Sequence, residues 1–194
     1  LIKLRLKVTL WSRVTFLFLY TLNIAHIKKD SLTRKKQMKR LFIVRHSTKN
    51  KENLNQYDYD VKLSSKGKQK AINMAKNLAN TNPNIDLIVT SPAIRTRQTA
   101  QIFAKKLGYN KTIISNEVLY KAFVNELIET ISYTYDTVNT MLLVGHNPSL
   151  SALAVTLVDF QENFQEGAIM QIDFNCNSWL DIDKTNAKMI SYKK

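Results

Sequence analysis

Three short stretches of this chain hold residue types suited to chemistry. They are Arg45-His46, the run Ser91-Pro92-Ala93-Ile94-Arg95-Thr96-Arg97-Gln98-Thr99-Ala100, and Gly145-His146-Asn147-Pro148. From Met38 onward there are only four arginines, Arg40, Arg45, Arg95 and Arg97, and sixteen lysines. Three of the four arginines fall in these stretches. A guanidinium is a planar fork that grips an oxyanion with two hydrogen bonds, which an ammonium does not do. The clustering therefore points to phosphate recognition. A neutral imidazole beside such arginines can attack phosphorus and carry the phosphoryl group. The guanidiniums would neutralise charge on the equatorial oxygens, and a second histidine would donate to the same oxygens. Such a reaction requires neither metal nor cofactor.

His46 and His146 are 100 positions apart, so only folding can join them. Short apolar runs read as buried strands: Leu41–Val44, Ile85–Val89, a weaker Thr112–Ser115, and Met141–Val144. Alternation over Ala168–Phe174 suggests a fifth, and Trp179–Ile182 with Met189–Tyr192 a terminal hairpin. Between them, apolar residues recur at helical spacing around Ala71–Ala79, Ala100–Leu107, Phe123–Ile131 and Leu150–Val158, with Gly108 stopping the second helix. Strands alternating with helices predict an α/β fold: a three-layer α/β/α sandwich with a mostly parallel central sheet. Ser91 and Asn147 are expected as helix N-caps, each followed by proline. Both helices then start beyond the carboxyl end of a strand, the edge where α/β sheets bind ligands.

Taken in order, these motifs resemble the histidine phosphatase superfamily, which includes the phosphoglycerate mutases. Leu41-Phe42-Ile43-Val44-Arg45-His46-Ser47 is similar to its Arg-His-Gly motif, with Ser47 in place of the usual glycine. Leu63-Ser64-Ser65-Lys66-Gly67 resembles the Leu-Thr-x-x-Gly that opens its first helix. Gly145-His146-Asn147-Pro148 and Glu166-Gly167-Ala168 resemble motifs of the SixA-type phosphohistidine phosphatases. The resemblance spans about residues 39–182 and implies a phosphoglycerate mutase-like fold. It implies that His46 accepts the phosphoryl group, with Arg45, Arg95 and His146 as its catalytic partners. Arg45, Arg95, His146 and Asn147 would bind the phosphate. Arg95 is favoured over Arg97, which lies two positions further along the helix.

Members that act on phosphate esters carry an acid where this chain reads Val118-Leu119-Tyr120-Lys121. An acid protonates an alkoxide leaving group. A phosphoramidate leaves as imidazole and needs less help. The expected substrate is therefore a phosphohistidine-bearing protein. A small phosphate ester is the alternative, with Glu117 or Glu126 supplying the acid, and a catalytically weak phosphate-binding module is a third reading.

Other features narrow the field. The 194 residues carry a formal charge of +14, and residues 1–37 hold nine basic residues and one acid. This N-terminal extension, with an apolar run at 14–27, reads as a signal or anchor, a surface amphipathic helix, or sequence upstream of a native start at Met38. The domain is expected over 38–194, in the cytoplasm, with membrane contact only through residues 1–37 and no specific nucleic-acid partner. A single cysteine, Cys176, excludes an intramolecular disulfide and is expected to be structural. With three histidines in all, no metal site is expected. The polar run Tyr57-Asp58-Tyr59-Asp60 either borders the site or is plain surface, and the plain-surface reading is favoured.

Overall fold

The structure, a computed structural model, describes residues 38–50 and 57–194. The readings made for residues 1–37 lie outside the described residues. Among the described residues no helix is long and apolar enough to cross a membrane.

In chain order the strands are β1 (Lys39–Arg45), β2 (Leu87–Thr90), β3 (Ile114–Ser115), β4 (Thr140–Gly145), β5 (Ile169–Phe174) and β6 (Ala187–Lys193). The helices are α1 (Ser65–Ala79), α2 (Ile94–Leu107), α3 (Val124–Ser132) and α4 (Ser149–Val158). The six strands form one sheet in the order β3-β2-β4-β1-β5-β6. The first four run parallel, whereas β5 and β6 are antiparallel to their neighbours.

Both faces of the sheet are covered, which is why its central strands read as unbroken apolar runs rather than alternating ones. Leu41 and Ile43 point to one side, where they pack with Met141, Leu143, Met170 and Ile172 against Leu127 and Ile131 of α3 and Leu150 and Leu153 of α4. Phe42 and Val44 point to the other, with Ile88, Leu142 and Val144 against Met74 and Leu78 of α1 and Phe103 of α2. The expected three-layer α/β/α arrangement is thus present.

One expected strand is absent. Trp179–Asp181 forms a 3-10 turn. The Ser178 hydroxyl accepts from Leu180 N and starts the turn, while the buried Trp179 indole donates to Val138 O at 2.7 Å. The terminal hairpin is therefore β5–β6. Neither expected cap operates as such. The helix after β2 begins at Ile94 and that after β4 at Ser149, neither with a side-chain cap. Ser91 and Asn147 sit further upstream, and both are spent on the cleft described next.

Candidate active site

β1 and β4 are adjacent and parallel, with Arg45 paired to Gly145. The residue following each strand is a histidine. This register brings His46 and His146 together, with ring centroids 5.1 Å apart. Backbone bonds fix the turn after β1: His46 N donates to Gly145 O, and Gly167 N donates to the carbonyls of Arg45 and His46. Gly167 sits at φ +71°, and a Cβ there would lie 3.0 Å from Ser47 Oγ. The glycine is needed both for its left-handed backbone and for this close approach.

Gly67 answers to a harder constraint. A Cβ on it would fall 2.0 Å from the carbonyl oxygen of Thr48, two residues past His46. Ser64 caps α1 by accepting from Gly67 N, and its hydroxyl and backbone N both donate to Thr48 O. The Leu63–Gly67 motif thus clamps the segment that leaves His46. Gln98 and Thr99 of α2 contribute likewise: Gln98 accepts from Leu63 N, and Thr99 Oγ1 accepts from Ser47 N while donating to Arg95 O.

The side chains meet in a cleft of about 390 Å³. His46 is 5% exposed and His146 8%. The Nδ1 of His46 lies 2.8 Å from the Ser47 carbonyl, which can only accept. Nδ1 therefore carries the proton, and Nε2 is left with its lone pair. His146 is in the opposite tautomer. Its Nδ1 faces Arg95 Nη2 at 3.3 Å and must accept, so its Nε2–H donates to Ser91 Oγ at 2.8 Å. This is the work of Ser91 in place of capping.

Burial holds both imidazoles neutral. It is the main cause that lowers His46 to about 4; the Ser47 carbonyl opposes it, and the charges of Arg95 and Arg45 add to it. His146 falls to about 3, through burial first and then the charges of His46 and Arg95.

The two arginines are held at their far ends. Arg45 Nη1 donates to Phe164 O at 2.7 Å, and its Nη2 lies 3.8 Å from Glu166 Oε1. Arg95 directs Nη1 to the Asp58 backbone oxygen and Nη2 to Asp58 Oδ2 at 2.7 Å. Both Nε atoms are buried and, among the described residues, neither has a hydrogen-bond partner. Two unpaired N–H donors beside a neutral imidazole are a cradle for an oxyanion.

Asn147 lines the cleft, but its Nδ2 is bound to Phe164 O at 3.0 Å, so the side chain braces the 163–164 loop that also holds Arg45. Arg97 does not enter the cleft. Of the two acids considered from the sequence, Glu126 is used at the start of α3, accepting from Phe123 N at 2.7 Å. Glu117 lines a neighbouring cavity. Among the described residues no group of three or more His, Cys, Asp and Glu side chains is arranged to hold a metal ion.

Two acids that the sequence reading did not place are in the cleft, Asp58 and Glu166. Of the two readings of residues 57–60, the favoured plain-surface one is corrected for Asp58, which borders the cleft. Its carboxylate binds Lys49 Nζ at 2.6 Å, Arg95 Nη2 at 2.7 Å and the Tyr120 hydroxyl at 3.3 Å. Partial burial alone would raise its pKa, but hydrogen bonds and charge from Lys49 and Arg95 hold it at about 2. Asp58 is thus an ionised anchor that aims Arg95. Nothing in its local sequence signalled this, because its partners lie at positions 49, 95 and 120.

Comparison with known proteins agrees with the geometry. Residues 41–119 match the family model of the histidine phosphatase superfamily (branch 1). An uncharacterized protein of Mycobacterium tuberculosis strain H37Rv is 35% identical over 100 residues, which are 52% of this chain and 61% of that protein. The chain thus spans about three fifths of the length of that curated relative. A protein assigned as the phosphohistidine phosphatase SixA of Agrobacterium tumefaciens superposes with a TM-score of 0.70 at 21% identity, covering 80% of this chain and 97% of the other. The protein histidine phosphatase SixA solved with tungstate gives 0.68 at 19%, covering 80% and 96%. Residues 41–119 thus resemble the histidine phosphatase superfamily, and the described domain shares its fold with the SixA structures.

Proposed function

We propose that this protein is a metal-independent phosphatase that works through a phosphohistidine on His46, and that its substrate is a protein phosphorylated on histidine. One observation carries the reading: the unprotonated Nε2 of His46 shares a cleft with the unpaired Nε–H groups of Arg45 and Arg95. His46 Nε2 attacks phosphorus, the substrate's P–N bond breaks, and the leaving imidazole nitrogen takes up a proton. Water then attacks the phosphoryl group, loses a proton, and releases inorganic phosphate as the His46 N–P bond breaks. Arg45 and Arg95 stabilise the equatorial oxygens throughout. A bound phosphate dianion favours the cationic form of His146, whose charge then adds to that of Arg45 and Arg95. The SixA structure solved with tungstate, a tetrahedral oxyanion, supports oxyanion binding in this fold.

A small phosphate ester is the second reading, because the Glu166 carboxylate lines the cleft and is 31% exposed. Glu166 is placed to serve an alkoxide leaving group, whereas Asp58 is tied to Lys49 and Arg95 and held ionised down to about pH 2.

The test follows phosphate release by the full chain, with a chelator present throughout, from a histidine-phosphorylated carrier protein and from an aryl phosphate. Release from the carrier that survives the chelator and falls at least about 10⁴-fold in His46→Ala supports the proposal. Turnover of the aryl phosphate alone, lost in Glu166→Gln, supports the ester reading instead. Release that persists in His46→Ala overturns the covalent mechanism.

A further inference from the structure

The four arginines after position 38 do not share one fate. Arg40 is paired bidentately with Asp173, both contacts at 2.8 Å. Arg45 and Arg95 serve the cleft. The Arg97 guanidinium is exposed and, among the described residues, no hydrogen bond or ion pair engages it. It lines a second cavity of about 320 Å³ together with Tyr59, Thr90, Gln101, Ser115 and Glu117.

This cavity is built from the same segments as the first. Asp58 lines the catalytic cleft and Tyr59 the second cavity. Arg95 serves one and Arg97 the other, and so do Tyr120 and Glu117. Tyr59 and Tyr120 meet edge to face at 5.1 Å between ring centroids, a ridge separating the two depressions. A substrate whose phosphoryl group sits between Arg45 and Arg95 therefore has a second depression within reach of the atoms that flank it.

The chemistry of that depression is specific. Arg97 offers a free fork for an oxyanion, and Glu117 offers an opposing carboxylate. The Glu117 carboxylate repels a second phosphate dianion about twice as strongly as it repels a singly charged carboxylate. The depression suits one carboxylate beside neutral amide groups, which Gln101, Ser115 and Thr90 can meet by hydrogen bonding. We infer that this second cavity is a recognition site for the polypeptide flanking the phosphorylated histidine, with Arg97 binding a carboxylate side chain of that segment. The inference rests on the protein-phosphohistidine reading above and names how such a substrate is selected.

The test uses the full chain and three substrates: a phosphohistidine peptide with glutamates flanking the phosphorylated residue, the same peptide with glutamines, and free phosphohistidine. Wild type is expected to show a KM about fivefold lower for the glutamate peptide than for the glutamine peptide, the scale of one half-exposed ion pair. Arg97→Ala is expected to abolish that difference, Arg97→Lys to restore part of it, and kcat on free phosphohistidine to stay unchanged in both. Equal KM for the two peptides in wild type, or a loss in Arg97→Ala that falls equally on all three substrates, overturns the inference. Turnover of free phosphohistidine with neither peptide accepted overturns it together with the protein-substrate reading. Failure on all three substrates, with the aryl phosphate still hydrolysed, rejects the function proposed above and this site with it.

Discussion

At the scale of single residues, protonation state decides what the cleft can do. His46 titrates near 4 rather than near the usual 6.5 of histidine, so its Nε2 lone pair persists into mild acid. The acid limb of kcat/KM, corrected for substrate ionisation, is expected near pH 4 to 5, and a limb at 6.5 would contradict the buried neutral tautomer. Stability carries the same signature. With both histidines depressed in the folded state, the unfolded chain binds more protons wherever the pH lies between 6.5 and about 4. Their contribution is intact above 6.5 and is lost as the pH falls through that window, which urea melts at pH 7 and pH 5 will register. His46, Arg45, Arg95 and His146, which the fold gathers in one cleft, were legible from type and order. Asp58 was not, because an acid in a polar run looks like surface until the fold shows the two cations and the phenol that surround it.

At the scale of elements, the legible parts were those whose length and flanks narrow the choice. Leu41–Val44 and Met141–Val144 are apolar at every position, short and bounded by polar residues or glycine, which fits a strand covered on both faces better than a helix. Trp179–Ile182 misled because a short apolar run has two solutions, and Ser178 tips it to a turn by accepting from Leu180 N. The caps were misplaced for a related reason: Ser91 and Asn147 are good capping residues whose side chains are claimed by His146 and by the 163–164 loop. The junction of α1 with the turn after β1 yields a sharp expectation. Gly67→Ala must displace the Thr48 backbone rather than a flexible side chain. It should destabilise the protein by about 2–3 kcal/mol in urea titration and lower kcat together with stability. A change under about 0.5 kcal/mol would show that the contact at Thr48 is not what demands glycine.

At the scale of the whole molecule, charge is the broadest feature. The chain carries a formal +14 at pH 7, and the cleft itself is lined by Arg45, Lys49, Arg95 and Lys121. Positive charge near a cleft concentrates an anionic substrate and is screened by salt. Raising ionic strength from about 0.05 M to 0.5 M, where the Debye length shrinks from about 14 Å to about 4 Å, should raise KM for an anionic substrate several-fold and leave kcat nearly constant. A salt-independent KM would confine recognition to short-range contacts.

The pairing of Arg45 with Gly145 also governs when in folding the cleft is assembled. The two imidazoles are aligned by a parallel ladder between strands about a hundred positions apart, and the intervening chain contributes α1, β2, α2, β3 and α3. Neither hairpin formation nor any local helix can bring them together. Such long-range pairings close late, because loop entropy is lost before their contacts form. Catalytic competence is therefore an end-point of folding: a refolding sample regains helical signal first, and turnover only when β1 and β4 have zipped.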